Sequence, residues 1–407
     1  MPQQYGSLKE PVRGTLGAIV LAPWIPAARL RGESLLACDD QAIRFAQPNR
    51  RRWTETMARF IIRRLLWMFL VLFVVSFVTF FLMHQVPGGP FDREKALPPE
   101  ILANLYERYH LDWPLWRQYT QYLYDILVPR FTSTPPTGSL QDQYLVEARI
   151  GSRYFRWMNF GPSYTSRSRT VNDIFREQLP ISAQLGVMAV LFAMALGIPL
   201  GIVAALNQNT FWDYFGMGVA ILGVSVPAIV SGPILIWLLG VWLTLLPPTG
   251  WGAKPPYLLG FLPRDLSLEY WKYAVMPVVA LGAGGSAILA RLTRASLLQV
   301  IREDYIRTAR AKGLAERIVI VQHALRNSLI PVTTVLGPYF AAVVTGTFVV
   351  ELIFGIPGMG RYFVTSISNR DYPVIMGTIL LYAVILVIAN AAVDVVYAYL
   401  DPRIRLT

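Results

Sequence analysis

The amino-acid sequence predicts an all-α integral membrane protein with six transmembrane helices. Hydrophobic residues make up 54% of the 407 positions and charged residues 15%, whereas a soluble domain has about 25% charged residues. Uncharged runs recur along the chain and reach the length of about 20 residues needed to cross a bilayer. These proportions exclude a soluble globular enzyme. They also exclude a disordered chain, which needs few apolar residues and a high charge density.

Six uncharged runs define the predicted spans. They extend from Leu65 to Met83, Leu179 to Leu206, Phe215 to Leu246, Tyr273 to Ala290, Ser328 to Val350 and Tyr372 to Val393. The third is long enough to cross as one tilted helix or to continue past the bilayer. The chain therefore divides into a first transmembrane helix within 57–84, an extracytoplasmic segment over 85–178, and a core of five helices over 179–407.

The distribution of arginine and lysine predicts the orientation in the membrane. The formal net charge is +12, but the basic residues lie between apolar runs rather than on a soluble module. This pattern argues against nucleic-acid binding and fits the positive-inside bias of membrane proteins. Six arginines from Arg50 to Arg64 precede the first span, so the N-terminal side is predicted to be cytoplasmic. An even number of spans then places the C-terminus in the cytoplasm as well.

The segments outside the spans differ in character. Residues 99–127 show helical spacing and are expected to form one or two short helices, whereas residues 128–157 are expected to be an irregular loop. Residues 1–56 are interpreted as a poorly ordered extension, because their one apolar stretch is short and broken by prolines. Met57 is a plausible translation start site, so the hypothesis is that the chain made in the cell begins there.

Several kinds of functional site are missing from the sequence. One cysteine, Cys38, cannot form a disulfide framework, and three scattered histidines do not suggest a metal site. No phosphate-binding GxxxxGK[ST] loop occurs, and no arrangement suits nucleophilic catalysis. The chain is therefore predicted not to be an enzyme and to hold no cofactor or metal. If ATP drives transport, partner subunits must hydrolyse it.

The basic loop over 291–327 carries the functional prediction. It contains eight Lys or Arg residues and three acids. Two helical stretches meet at Gly313, where a residue free to adopt positive φ can turn the chain. Apolar side chains recur along these stretches: Tyr305, Ile306, Ala309, Leu314, Ile318 and Leu325. An amphipathic element in the cytosol is expected to bury such a face on a partner protein.

This loop resembles the EAA loop of ABC-importer permeases, whose short coupling helix docks into a groove on the ATPase subunit. Aligned on Gly313, the family's Glu-Ala-Ala falls on residues 307–309, and its later leucine falls on Leu325. The departures are Arg307 for Glu, Thr308 for Ala, and Arg326 where many members have Pro. The resemblance implies an ATPase-coupling site made of Asp304, Tyr305, Arg307, Thr308, Ala309, Arg310, Lys312, Gly313 and Leu325.

Other motifs extend the resemblance over nearly everything from Met57 onward. They are Pro87-Gly88-Gly89-Pro90, Glu94 to Glu100, Gly161-Pro162-Ser163-Tyr164, Gly355 to Gly360, Asp371-Tyr372-Pro373 and Asp401 to Arg405. Their order on a six-span layout is similar to that of the first permease subunit of dipeptide and oligopeptide importers. The resemblance implies the type I ABC-importer permease fold, with a cytoplasmic coupling helix, in a bacterial or archaeal cytoplasmic membrane.

The resemblance also implies the partners. These are a second homologous permease subunit, two P-loop ATPase subunits at the cytoplasmic face, and an extracytoplasmic peptide-binding protein, all next to membrane lipid. Alternative cargoes of the same branch are nickel chelates, glutathione or another small solute. A secondary transporter or channel would need charged groups in mid-bilayer, and the spans carry few. An intramembrane hydrolase would need paired aspartates, a Ser/Lys or Ser/His pair, or HExxH, and none stands at a suitable position.

Charged and polar residues near the ends of the spans have competing interpretations. Asp394, about one turn inside the end of the sixth span, is either a proton relay or the partner of an inner-surface arginine. Its short distance along the helix from the cytoplasmic end favours the arginine pair. Glu351 and Arg361 are expected at the outer mouth. Asn390, deep in the sixth span, is expected to form hydrogen bonds between helices.

Overall fold

The computed structural model describes residues 50–91, 98–134, 143–166, 168–253, 257, 260, 262–263, 267–344 and 348–400. The chain divides into two compact units, Met1–Thr56 and Met57–Thr407. Apart from the start of the first helix, the expectation for residues 1–56 lies outside the described residues. So do most of the motif beginning at Glu94 and all of the motif beginning at Asp401.

Helices dominate the described residues. They are α1 (Arg50–Gln85), α2 (Pro99–Arg108), α3 (Leu115–Leu127), α4 (Val171–Leu206), α5 (Phe211–Ser225), α6 (Ala228–Leu235), α7 (Leu268–Val300), α8 (Asp304–Ala311), α9 (Glu316–Ile318), α10 (Leu325–Ser328), α11 (Ile330–Val344), α12 (Phe348–Ile353), α13 (Met359–Asn369) and α14 (Tyr372–Leu400). A π-helical stretch, Ile236–Trp242, continues α6, and another, Val319–Ala324, joins α9 to α10.

Five of the predicted spans are confirmed among the described helices. Segments long and apolar enough to cross a membrane are Ile62–Gln85, Val171–Leu206, Leu268–Val300, Ile330–Ile353 and Tyr372–Val396. The fourth of these runs over residues 345–347, which lie outside the described residues. Two helices extend beyond the predicted spans. Helix α4 starts before the predicted Leu179, and α7 continues past Ala290 to Val300.

The third predicted span is an apolar segment of membrane length, but it is not one continuous helix. Helices α5 and α6 are bent by 100° where they meet, so together they form either a broken span or a re-entrant loop. Pro227 is the physical cause. Its ring disfavours helical geometry at the residue before it, and Val226 is extended with φ −101° and ψ 107°. Pro227 then stands at the N-cap of α6, where its missing N–H leaves no hydrogen bond within the helix unmade.

Among the described residues, helices α4 and α7 form the most extensive helix pair. Thr170 begins α4 with a capping box, in which its hydroxyl and the Asp173 carboxylate each satisfy a free backbone N–H. Further along, Gly197 lies so close to α7 that a Cβ there would be 2.4 Å from the Ser286 carbonyl oxygen. Small residues allow backbones to approach this closely within a membrane, where packing drives helix association.

The expectation of an irregular loop over 128–157 is wrong, because part of this segment forms a sheet. Strands β1 (Arg130–Thr132), β2 (Val146–Ile150) and β3 (Arg153–Trp157) pair antiparallel in the order β1-β3-β2. Gly151, with φ +63°, provides the positive φ that the tight turn between β2 and β3 requires. The prediction of one or two short helices over residues 99–127 is confirmed, since α2 and α3 lie within this range.

The outer helices are tied to the membrane helices by an aromatic cluster. Phe80 and Met83 near the end of α1 pack with Tyr119 of α3 and with Tyr372 and Met376 at the start of α14. Ser76 and Tyr119 also share a buried hydrogen bond of 2.9 Å. Helix α3 of the outer segment is therefore packed against the end of α1 and the start of α14.

Candidate functional site

The predicted turn in the loop between α7 and α11 is confirmed. Helix α8 ends at Ala311, and the N–H of Lys312 donates to the Thr308 carbonyl at 3.1 Å. Gly313 follows with φ +76°, a conformation that costs residues with a Cβ roughly 1–2 kcal/mol. No atom lies within 4 Å of where a Cβ would be built at this glycine. Its requirement for glycine is therefore one of backbone conformation and not of space.

One face of helix α8 is buried against its own chain. Ile306 is fully buried and Ala309 is buried. Both pack in a cluster with Leu297 of α7 and Ala205 of α4. The expectation that these two side chains cover a partner is wrong. A short turn after α7 places α8 against the ends of α4 and α7. This packing removes the apolar face of α8 from water, which is favourable without any partner protein.

A second set of side chains in the loop stays exposed. Leu314 and Ile318 are each 39% exposed, and Val321 is 54% exposed. The exposed cations Arg307, Lys312 and Arg317 accompany them. These six residues are called the outer loop face below. Apolar residues and arginine are enriched where proteins bind one another, so this face suits a protein partner.

An ion pair closes the glycine turn. Arg310 donates from Nη2 to Oε1 of Glu316 at 2.6 Å and from Nε to Oε2 at 3.1 Å. Hydrogen bonding to Glu316 raises the pKa of Arg310, and hydrogen bonding to Arg310 lowers the pKa of the Glu316 carboxyl. Both side chains are solvated. The pair therefore contributes less than about 1 kcal/mol and orders the turn more than it stabilises the fold.

The residues carried over from the family pattern lie on two neighbouring segments. Asp304 to Lys312 form α8 and its end, and the half-buried Leu325 starts α10. Tyr305 joins the segments, because its hydroxyl accepts from Nδ2 of Asn327 at 2.8 Å and donates to the His323 carbonyl at 3.4 Å. The pattern residues are thus brought together by a hydrogen-bonded tyrosine.

The polar residues of α8 bond mainly within the helix. Thr308 Oγ1 donates to the Asp304 carbonyl at 2.9 Å, which satisfies the hydroxyl locally. Arg307 lies 3.4 Å from the Asp304 carboxylate, and both side chains are largely in solvent. Such an exposed pair contributes little to stability. The cation at Arg307, where the family pattern has Glu, is therefore presented to the outside.

An ion pair near the end of α7 was not predicted from the sequence. Arg294, near the end of α7, donates to both carboxylate oxygens of Asp213 in α5, at 2.7 Å each. Asp213 also accepts from the Asn209 N–H at 3.0 Å, and its side chain is only 4% exposed. Residues 207–213 contain no Lys or Arg, so the positive-inside pattern carries no information about them. The signal available in the sequence was Asp213 itself, a single charged residue in a long uncharged stretch, which needs a partner when it is buried.

Glu351 is buried in the protein and not open to an outer mouth, which corrects that expectation. Ser182 of α4 donates to its Oε1 at 2.6 Å, and the Arg361 N–H donates to its Oε2 at 3.3 Å. The Met359 N–H in turn donates to Ser182 Oγ at 2.7 Å. The carboxylate thus occupies the N-terminus of α13, where free N–H groups and the helix dipole favour negative charge.

Two motifs of the sequence, far apart in the chain, meet at Asp371. The buried carboxylate accepts from the Ser163 hydroxyl and from the backbone N–H groups of Tyr164 and Thr165, the latter two at 3.1 Å each. Asp371 directly precedes α14. The outer segment is therefore connected to the last membrane helix by charge-assisted hydrogen bonds.

The arginine pair predicted for Asp394 is confirmed. Nη1 of Arg64 on α1 lies 2.8 Å from Oδ2 of Asp394 on α14. In the described residues, no group of three or more His, Cys, Asp or Glu side chains could hold a metal ion.

Comparisons with known proteins agree with this architecture. A family model described as binding-protein-dependent transport system inner membrane component matches residues 197–406, and its N-terminal companion matches residues 57–186. The dipeptide transport system permease protein DppB of Bacillus subtilis is 42% identical over 350 residues, covering 86% of this chain and 99% of the relative. The oligopeptide transport system permease protein OppB of Salmonella typhimurium is 38% identical over 349 residues, covering 86% of this chain and 100% of the relative.

A solved structure of the MetNI methionine ABC transporter in an inward-facing conformation aligns with a TM-score of 0.42 and 16% identity, over 55% of this chain and 94% of that chain. The two family models cover most of the chain after Met57, and both curated relatives match over nearly their full length. The sequence resemblance is thereby confirmed: this multi-pass inner-membrane chain belongs to the family of binding-protein-dependent transport system inner membrane components.

Proposed function

We propose that this chain is a permease subunit of an ATP-driven importer of peptides and that the outer loop face is its contact with an ATPase subunit. The exposure of Leu314, Ile318 and Val321 beside three cations carries this proposal. A membrane protein gains nothing by leaving apolar side chains in the cytosol unless a partner covers them. The internal packing of Ile306 gives the loop the rigid base that a docking element needs.

Peptides are the proposed cargo because the relatives matched over their full length are named as dipeptide and oligopeptide permeases. Nickel chelates, glutathione or another small solute remain the alternative cargoes within the same branch. A secondary transporter fits less well. Asp213 and Asp394, which lie near the membrane ends, are each paired with an arginine, and a coupling-ion site needs groups able to change partner.

The proposed assembly contains a second permease, two ATPase subunits and an extracytoplasmic binding protein. The broken span α5–α6 supports the permease contact, since many of its large apolar side chains are exposed, among them Phe215, Leu222 and Trp237. The sheet and helices over 99–157 suit contact with the binding protein on the outside. Both termini are proposed to lie in the cytoplasm, in keeping with the arginines before the first span.

The proposed coupling route is short. Movement of the ATPase subunit displaces α8, which is joined to α7 by a turn of three residues. Arg294, on the last turns of α7, passes this displacement to Asp213 on α5. The bend at Pro227 then allows α6 to change its angle to α5, because the two helices share no continuous backbone hydrogen bonding there. A cavity between the two permeases would thereby open to one side or the other.

The test of this proposal compares two glycines. Gly313 and Gly151 both have positive φ, and nothing lies within 4 Å of a Cβ at either position. The variants Gly313→Asp and Gly151→Asp therefore introduce the same charge and similar backbone strain, on opposite proposed sides of the membrane. In proteoliposomes holding the whole importer, Gly313→Asp should lower peptide uptake per ATP hydrolysed at least tenfold, and Gly151→Asp should leave this ratio near that of the parent.

Two outcomes would count against the proposal. Unchanged coupling in Gly313→Asp, with the variant inserted at normal levels, would remove the loop from the coupling route. A detergent-solubilised chain that purifies without any ATPase or second permease, and still transports after reconstitution, would indicate a secondary carrier. Cargo is read separately, by comparing uptake of labelled dipeptides, longer peptides, glutathione and a nickel chelate.

A further inference from the structure

A row of apolar side chains on the outside of α3 carries an inference that does not depend on the transport function. It consists of Trp116, Leu123, Tyr124 and Leu127 and is called the α3 stripe below. Trp116, Tyr124 and Leu127 keep 66%, 50% and 48% of their surface exposed. Leu123 is half-buried. Contiguous exposed side chains of this size mark a surface that something other than water covers.

The helical spacing of α3 separates the stripe from a polar face. The members of the stripe recur at intervals of four, seven and eight residues, which places them on one side of the helix. Arg117, Gln121 and Asp125 recur every four residues on another side. Gln121 donates to the Asp125 carboxylate at 3.1 Å. The Arg117 guanidinium lies 4.0 Å from the centre of the Trp113 ring. Helix α3 is therefore amphipathic.

The buried side of α3 fixes its depth relative to α1. The ring of Tyr119 packs against Phe73 and Phe77 of α1, with centroid distances of 6.3 and 5.7 Å. The Tyr119 hydroxyl lies 2.9 Å from Oγ of Ser76. Ser76 precedes Gln85, the last residue of α1, by nine residues, or about 14 Å along the helix. A tyrosine can place its hydroxyl there only if the backbone of α3 lies near the end of α1 and not well beyond it.

The contacts of α3 with α14 show how its axis is directed. Tyr119 shares a cluster with Tyr372 and Met376 at the start of α14. Ile126, two turns further along α3, shares another cluster with Val374, which is also at the start of α14. Both halves of α3 therefore pack at the same level of a helix that crosses the membrane. The axis of α3 consequently runs along the membrane surface.

The stripe continues the exposed apolar surface of α1. Phe73 and Phe77 are 41% and 44% exposed, and on a helix of membrane length such side chains face the bilayer. Tyr119 lies against both rings, and Leu123 of the stripe packs with it in the same cluster. At 100° per residue, the polar face of α3 is on the far side of the helix from Tyr119. The stripe is therefore beside the bilayer, and the polar face is directed away from it.

We propose that α3 is a membrane-interface helix and that phospholipid covers the α3 stripe. Amphipathic helices that lie in the interface combine a polar face with tryptophan and leucine on the apolar face. Trp116 and Tyr124 suit the headgroup level, because an apolar ring and a polar atom each find a partner there. Continuity with the surface of α1 at the same depth favours lipid over a protein partner. This leaves α2, the sheet and the polar face of α3 for the proposed contact with a binding protein.

The test measures lipid and water access with spin labels on the full chain in proteoliposomes, with the subunits that accompany it. Cys38→Ser removes the single cysteine, and the label is attached after Trp116→Cys, Leu127→Cys or, as the matched control on the polar face, Gln121→Cys. Oxygen concentrates in the bilayer, whereas a chromium oxalate complex stays in water. The ratio of their collision rates with the label should be several times higher at positions 116 and 127 than at position 121.

A second pair of positions protects the test against a label that disturbs the helix. Tyr124→Cys is on the stripe, and Arg117→Cys is on the polar face. The same difference in collision ratio is expected between these two positions. Each labelled variant should keep the melting temperature of Cys38→Ser, which shows that the fold is intact.

Two results would overturn the proposal. A collision ratio at the stripe no higher than that at the polar face would show that the stripe lies in water. Low collision rates with both reagents, together with an immobilised label at the stripe positions, would show that a protein surface covers the stripe instead of lipid.

Discussion

Arg294 and Asp213 connect the end of α7 to the start of α5 through two parallel hydrogen bonds of 2.7 Å. Arg294 lies about three helical turns before α8, the first helix of the loop between α7 and α11. The pair is therefore a direct polar connection between the end of α7, which leads into that loop, and the broken span. A bidentate arginine–carboxylate pair has a defined geometry as well as strength, which suits it to transmit a displacement.

The first prediction concerns this pair. Asp213→Ala leaves Arg294 without its carboxylate, and removing one partner of a largely buried pair should destabilise the chain by about 2–3 kcal/mol. Asp213→Ala with Arg294→Met should recover part of that loss, because no unpaired charge remains. Thermal unfolding in detergent measures both. If the single and double variants are equally stable, the pair has no structural role and the proposed coupling route loses its middle step.

The second prediction concerns the contact between α4 and α7. Gly197→Ala should destabilise the protein by about 1–3 kcal/mol, because its Cβ would be 2.4 Å from the Ser286 carbonyl oxygen and the backbones must separate. Gly218→Ala is the matched control, since no atom lies within 4 Å of a Cβ there. Alanine favours the helix by up to about 1 kcal/mol, so this control should be neutral or stabilising. The two melting temperatures should move in opposite directions.

The third prediction concerns Asp371. Asp371→Ala removes the acceptor of two backbone N–H groups, at Tyr164 and Thr165, and each buried donor left without a partner costs about 1–3 kcal/mol. The loop before α4 should then open locally while the membrane helices stay folded. Limited trypsin digestion should cleave after Arg169 several times faster in the variant. Equal cleavage rates would show that the loop is held by other contacts.

The fourth prediction concerns the ion pair across the glycine turn. Glu316→Gln should speed backbone hydrogen exchange over residues 311–318, with little change in melting temperature, because the pair is solvated. Acid should lower the protection of the same amides, with each exchange rate compared with the intrinsic rate at the same pH. The pKa of Glu316 is lowered in the folded chain, so the pair's contribution is present above the ordinary glutamate pKa and is lost as pH falls through the lowered folded-state value. Exchange that does not respond to the variant or to acid would contradict this reading of the turn.

Much of the architecture was predictable because the signals are local. Uncharged runs of membrane length located five spans, since a bilayer requires about 20 apolar residues for each crossing. The helix–glycine–helix pattern located the turn at Gly313, because positive φ is a property of one residue. The third predicted span was located but is not one continuous helix, because the chain bends at Pro227.

Other predictions failed because they depended on tertiary contacts between segments that are distant in the sequence. Helical spacing identified the apolar face of α8, but only the folded chain decided that Ile306 packs inside while Leu314 stays exposed. The sheet over 130–157 was missed for a similar reason. Its strands are three to five residues long, and such short segments pair through hydrogen bonds to distant residues that no local pattern records.

Composition, local spacing and ordered motifs were sufficient to predict the membrane class, the location of the membrane-spanning segments, the glycine turn and the family. Tertiary structure alone decided that Asp213 meets Arg294, that Glu351 occupies the start of α13, and that Asp371 holds the outer loop. These contacts join residues far apart in the chain. Their existence depends on how helices pack in three dimensions, where buried charges must find partners.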